Sequence, residues 1–330
     1  MNDKAVALLE QYDVEVLRTR KGRGAYLCDT KQGVLIFKEY EGTEGRLLQQ
    51  DMLLRHVKAK QTVQVDELIP TKTGELFVKD KDGVRYILKT YYEGRECNIY
   101  DKEECVTAMR LLGKLHNCMR DVPQCSERDG APSDSILREY ERHNQELVRV
   151  RNFLRKRKQK QPFERRLYGV MDTYIEQASS VTEGWRRYVQ DLDFREPAGT
   201  YYHGNYQYHN IICYEKDWYI TNFEKYKPGS QVSDVYLLLR KLLEKSGWQE
   251  TLGSELLDAY KEIRPLSAFE ALDLYYRLAY PEKFWKIVNF YNNSPKAWIP
   301  EKNMEKLEKL LEQEQNRQKF LEEVFRPECL

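Results

Sequence analysis

The residues of this chain best suited to chemistry gather between positions 203 and 224. His203, Asn205, His209 and Asn210 lie close together, and Asn222 and Glu224 follow after a short apolar run. A loop at 203–210 leading into a hairpin would bring Asn205 and Asn210 to the mouth of one cleft, with Asn222 and Glu224 beside them. On an extended strand Asn222 and Glu224 point to the same face, which sets an amide and a carboxylate side by side. The amides limit that chemistry. An amide is uncharged, cannot act as a base near neutral pH, and gives a metal one neutral carbonyl oxygen where hard cations prefer carboxylates. His203 reads as a loop anchor that hydrogen-bonds backbone. His209 reads as structural, because no Cys, Asp or second His makes a ligand set with it.

Two kinds of sequence would position these residues. Residues 14 to 90 carry alternating or β-branched runs at Val14–Leu17, Ala25–Cys28, Val34–Phe37, Leu76–Val78 and Tyr86–Leu88, punctuated by Gly and charged turns. One amphipathic helix interrupts them over Glu44 to Val57. Gly22 and Gly24 are read as an ordinary hairpin turn rather than a phosphate-covering loop. From Lys102 onward the patterns are helical, with helices expected from Ser135 to Lys160, from Pro162 to Gln190, and from Val232 to the end. The β-rich stretch from Gly199 to Glu224 interrupts them. The expected architecture is α+β: a β-rich lobe over 1–92 and a helical lobe over 93–330 that carries the hairpin 199–224.

Composition narrows the function classes. The 330 residues include 24 Tyr, 11 Phe and 5 Trp beside 32% charged residues, which argues for a folded chain. A net charge of +1 excludes a molecule built throughout as a polyanion binder. The apolar runs are far shorter than the ~20 residues a membrane span requires. An early acid and a brief apolar run make the N-terminus a poor secretory signal, so the protein is expected to stay where it is made. Seven cysteines (Cys28, Cys97, Cys105, Cys118, Cys125, Cys213 and Cys329), with no C-x-x-C pair, read as reduced and mostly buried thiols.

The stretch from His203 to Ile212, followed by Ile220-Thr221-Asn222-Phe223-Glu224, resembles the catalytic loop and metal-binding strand of aminoglycoside-phosphotransferase-like kinases, which read roughly H-G-D-x-x-x-x-N and I-D-F-E. Val34-Leu35-Ile36-Phe37-Lys38 is similar to the strand whose lysine holds nucleotide phosphates. Tyr91-Tyr92-Glu93-Gly94 resembles the hinge between lobes. With Pro281-Glu282-Lys283-Phe284-Trp285-Lys286 and the segment after it, the pattern resembles the CotS family of spore coat proteins, over about Val14 to Phe320. The resemblance implies a bilobal protein-kinase-like fold, synthesis in the mother-cell cytoplasm, deposition on the spore coat and other coat proteins as partners. It implies ATP and Mg²⁺ as cofactors, with Lys38, Glu44, Tyr91 and Glu93 on the nucleotide side and Asn210, Asn222 and Glu224 on the metal side.

The sequence departs from an active kinase at two positions. Asn205 stands where a carboxylate would accept the nucleophile's proton, and Asn222 where the principal metal carboxylate would be. Losing general-base assistance alone costs on the order of 10²–10⁴ in rate. Glu44 is the only acid in the first turns of the helix after Lys38, while Gln49 and Gln50 occupy positions where a carboxylate partner could stand. Two readings stay open: a degenerate, pseudokinase-like structural or binding component of the coat, or an active phosphotransferase acting on a small molecule or coat protein.

Other features have plainer readings. The basic run from Arg149 to Arg166 reads first as a solvated helix end, then as a site for an anionic protein partner, with nucleic acid disfavoured for want of base-stacking surface. Asp234 reads as a helix N-cap ahead of a phosphate-site role. The segment Asn303 to Phe325 reads as a docked terminal helix, ahead of a partner-binding one. The tyrosines around the hairpin read as core packing with polar rims.

Overall fold

The structure, a computed structural model, describes residues 3–22, 24–123, 136–190, 199–294 and 301–325. Cys125 and Cys329 lie outside them; Cys28, Cys97, Cys105 and Cys118 are buried free thiols, and Cys213 is partly buried. The strands are β1 Val16–Gly22, β2 Ala25–Thr30, β3 Gly33–Glu39, β4 Gln64–Val65, β5 Leu68–Ile69, β6 Val78–Lys79, β7 Arg85–Thr90, β8 Arg95–Glu96, β9 Tyr201–Tyr202, β10 Ile211–Tyr214, β11 Asp217–Ile220 and β12 Lys227–Pro228. The helices are α1 Glu44–Ala59, α2 Lys102–Cys118, α3 Ile136–Lys156, α4 Pro162–Gln190, α5 Val232–Ser246, α6 Glu250–Lys261, α7 Ala268–Ala279, α8 Glu282–Asn293 and α9 Glu301–Val324.

The chain divides into two compact units. The described residues within Met1–Ala131, Pro197–Asp234 and Glu262–Arg264 form one, and those within Pro132–Glu196, Val235–Lys261 and Pro265–Leu330 form the other. The 92/93 division separates strand-rich from helix-rich sequence. The compact units divide elsewhere, because the hairpin strands β10 and β11 pair with β8 and β4 and so group with the first unit.

In the first unit β1, β2, β3 and β7 run antiparallel in that order, with β5 and β6 both paired to β7. Side chains alternate across this sheet. Leu35, Phe37, Tyr86 and Leu88 join Tyr12, Tyr26 and Cys28 on one face. Ile87 meets Leu47 of α1 and Leu68 on the other. By the same alternation Lys38 and Lys89 share the α1 face, and the register Lys38↔Ile87 and Ile36↔Lys89 makes them diagonal neighbours. Helix α1 starts where expected because the Thr43 side chain accepts from Arg46 N.

In the second unit apolar residues recur at three and four positions along Leu147, Val150 and Leu154 of α3 and Phe163, Leu167, Met171, Tyr174 and Ala178 of α4. They close around Phe284, Ile287, Val288 and Tyr291 of α8. Tyr140 stacks on Tyr280 with centroids 3.7 Å apart, and Tyr174 on Phe284 at 4.1 Å. Helix α9 is docked as read, burying Leu307, Phe320 and Leu321.

Phe37 is fully buried, stacked on Tyr86 at 5.3 Å and edge-on to Tyr12 at 6.3 Å. Phe37→Ala should destabilise the protein by about 3–5 kcal/mol. Equilibrium denaturation checks this; a loss under about 1 kcal/mol would contradict the placement of this core.

Candidate functional site

The loop at 203–210 is held by its backbone. Asp234, in the first turn of α5, accepts from His203 N at 2.6 Å and Gly204 N at 2.9 Å, and its Oδ2 lies 3.3 Å from His116 Nε2. It is 1% exposed, so this carboxylate shapes the loop and is not the helix N-cap the sequence suggested. His203 donates from Nε2 to Thr221 O (3.0 Å) and accepts from Asn205 N at Nδ1 (3.1 Å), the backbone-anchoring role read for it. Burial pushes its pKa down, against the partial opposition of Asp234. Gly204 sits at φ +74, where an added Cβ would also collide with the Lys225 carbonyl. Tyr206 is fully buried and donates to Ala108 O at 2.9 Å.

From this loop a chain of amides leads to a group of charges. Gln207 Nε2 donates to Asn205 Oδ1 (2.7 Å), Asn210 Nδ2 to Asn205 O (2.8 Å), and Asn222 Nδ2 to Asn210 Oδ1 (2.8 Å). Asn222 Oδ1 in turn accepts from Lys89 Nζ at 3.0 Å. The same ammonium donates to Asp66 Oδ2 at 2.7 Å and Glu224 Oε1 at 3.0 Å, which uses all three of its protons. Lys38 Nζ donates to the same Glu224 oxygen at 2.8 Å. Lys89 and Asp66 side chains are 4% and 2% exposed, and Lys38 and Glu224 are 25% and 22%. Burial alone would discharge Lys89, but Asp66 and Glu224 outweigh it and hold the ammonium protonated. Burial would likewise raise Glu224, yet Lys89 and Lys38 draw it far below the ordinary carboxylate range.

Asn222 and Glu224 meet for a reason other than the one the sequence suggested. Asn222 ends the extended run in the left-handed region (φ 67, ψ 58), and residues Phe223–Lys225 form a 3-10 turn. Asn tolerates that backbone better than most residues. What brings the two side chains together is their common donor, Lys89.

The resemblance implies a divalent cation among these oxygens, and the residues present do not fit one. Asn210 Oδ1 accepts from Asn222, Asn222 Oδ1 from Lys89, and Glu224 Oε1 from two lysines. Asp66 Oδ1 has no partner among the described residues, and both lysines bind Glu224 through Oε1 alone, but one spare oxygen on each of two lysine-paired carboxylates does not replace that set. Among the described residues no group of three or more His, Cys, Asp or Glu is arranged to hold a metal.

The remaining sequence-derived candidates are placed as follows. Glu44 faces Lys79 (3.3 Å) and Arg85 (3.6 Å) and leaves Lys38 to Glu224. Gln49 and Gln50 are buried on α1, with Gln49 donating to Pro123 O. Instead of a lysine–helix pair, Arg46 ties α1 to the metal-motif segment: one guanidinium nitrogen lies 2.9 Å from both Glu224 O and Tyr226 O, and Tyr226 Oη donates back to Arg46 O. Tyr91 is 38% exposed and its backbone N donates to Val34 O; Glu93 pairs with Arg20 at 2.7 Å. His209 pairs with Glu96 at an exposed site. Sequence reasoning passed over Asp66 and Lys89. The signal for Lys89 was present, a lysine directly after the apolar Tyr86–Leu88 of β7 and still within the strand.

Comparison with known proteins supplies a context. Residues 217–324 match the family model described as spore coat putative kinase YutH, a CotS-like family. No match is found among the curated proteins. An aminoglycoside phosphotransferase from Alicyclobacillus acidocaldarius superposes with a TM-score of 0.85 at 17% identity, covering 97% of this chain and 95% of that one. A spectinomycin phosphotransferase solved with ADP and spectinomycin gives 0.62 at 12% identity, covering 100% and 99%. An amicoumacin kinase solved in complex with AMP-PNP, Ca²⁺ and Ami gives 0.63 at 11% identity, covering 96% and 94%. The α+β fold is therefore that of the aminoglycoside-phosphotransferase-like kinases, as the sequence suggested, and the matched segment carries spore coat kinase-like sequence.

The buried, neutral His203 makes the fold acid-sensitive. Its folded pKa lies below its unfolded value, so its contribution is present above about pH 6.5 and is lost as pH falls through the folded pKa. Urea midpoints should fall between pH 7.5 and 5, and His203→Gln, though less stable throughout, should show a flatter profile. An unchanged slope in the variant would contradict this.

Proposed function

We propose that this chain is a spore coat component in which a kinase fold serves binding and architecture in place of phosphotransfer. The observation that carries this reading is the pair Asn205 and Asn222, amides at the two positions where phosphoryl transfer calls for carboxylates. Neither can take a proton from a nucleophile or neutralise phosphate charge through a metal. Gln207, Asn210 and Asn222 also spend amide protons on one another's oxygens and on Asn205. The spore coat family match over 217–324 supports the setting, with other coat proteins as partners and synthesis in the mother-cell cytoplasm before deposition. Solved relatives with ADP or AMP-PNP support a cleft of nucleotide size in this fold. Among the described residues no helix is long and apolar enough to cross a membrane.

A candidate face for coat partners lies on the second unit. Of the basic run, Arg151 pairs with Asp172, Arg157 with Glu164 and Arg166 with Glu308. Arg149, Arg155, Lys156, Lys158 and Arg165 are exposed and outside these pairs, a cluster suited to an acidic protein surface.

Incubated with ATP, Mg²⁺ and coat protein extract, the chain should transfer no phosphate beyond the level of Lys38→Ala. Metal-dependent transfer that Lys38→Ala abolishes would overturn the reading and favour the active phosphotransferase.

A further inference from the structure

The polar cluster holds a second message, independent of whether phosphate is ever transferred. We propose that Lys89 is the resident cation of this cleft, a tethered ammonium standing where a kinase of this fold would hold a divalent ion.

Three observations carry it. The Lys89 ammonium gathers three oxygens from two segments distant in sequence: Asp66 just after β4, and Asn222 and Glu224 of the metal motif. Two of these are the side chains whose type and spacing mark them as metal ligands. Its reach is fixed by the fold, because Lys89 is anchored in β7 with both neighbours, Leu88 and Thr90, in the sheet ladder. Charge closes as well. Asp66 and Glu224 carry two negative charges, and Lys89 and Lys38 two positive ones, so a divalent ion entering here would be uncompensated and would have to displace a buried ammonium.

The arrangement also gives Asn222 a purpose. An Asp at 222 could accept from Lys89 but could not donate to Asn210 Oδ1, and it would add a negative charge with no counterion. The amide does both jobs and leaves the cluster neutral. A metal site converted to an ammonium site needs such an amide. Lys38, a quarter exposed and with a single carboxylate contact, keeps donors for an anionic group such as a phosphate, recognised without a metal.

The test is Mn²⁺ binding followed by electron paramagnetic resonance, on the native chain and on Lys89→Met, without nucleotide. The native chain should show no site sensitive to Glu224→Gln. Lys89→Met should gain one site with at least tenfold higher affinity, lost again in Lys89→Met/Glu224→Gln. If the single variant fails to fold, Asp66→Asn/Lys89→Met removes the opposite charge as well and should gain the same site. A native site abolished by Glu224→Gln overturns the proposal, as does a folded Lys89 variant that gains nothing. Phosphotransfer by a chain with no Mn²⁺ site would sink the functional reading and leave this one standing. Mn²⁺ bound through Glu224 without transfer would do the reverse.

Discussion

A lysine ammonium buried between a sheet and a helix must be surrounded by oxygen acceptors, and the first unit is arranged around that requirement at Lys89. Its side chain is 4% exposed, so desolvation would drive the proton off unless anions held it. Asp66 and Glu224 supply them from outside the strand. Removing one partner of such a buried pair costs about 3–5 kcal/mol, which ties the position of β4 and of the metal-motif segment to that of β7. Lys38 adds a second demand. It shares a face with Lys89 on the neighbouring strand, and the repulsion between two diagonal cations is relieved because one Glu224 oxygen accepts from both.

The amide chain extends this constraint into the loop. Asn222, fixed at its backbone N by Asp66 Oδ2 and at its side chain by Lys89, orients Asn210, which in turn holds the carbonyl of Asn205. From the other side Asp234 and His203 grip the loop through backbone N–H groups and the Thr221 carbonyl. The loop and the 222–224 segment are therefore held as one network, built from the neutral amides of Asn205, Asn210 and Asn222.

Much of this was legible in the sequence. The order of strands, single helix and strands, and the long helices of the second unit, follow from periodicity and turn residues. The family resemblance marked the loop from His203 to Asn210, and with it Asn205 and Asn222. What sequence could not supply were pairings across long separations. Lys38 meets Glu224 and not Glu44, because α1 is fastened by Arg46 to the 224–226 backbone and carries glutamines on its buried side. Asp234 looked like a cap because the residue starting a helix usually is one; only the folded loop reveals what its oxygens hold. Asp66 gave no local signal, lying among short strands whose pairing to β11 is parallel and distant in sequence.

The account rests on a cleft whose charges are closed internally, so that no divalent ion is needed to complete it. The most direct test is calorimetric titration of the native chain with ATP, in the presence and absence of Mg²⁺. The account predicts the same binding behaviour in both, because Lys89 already occupies the cation's place. ATP binding that appears, or strengthens tenfold or more, only when Mg²⁺ is added would contradict it.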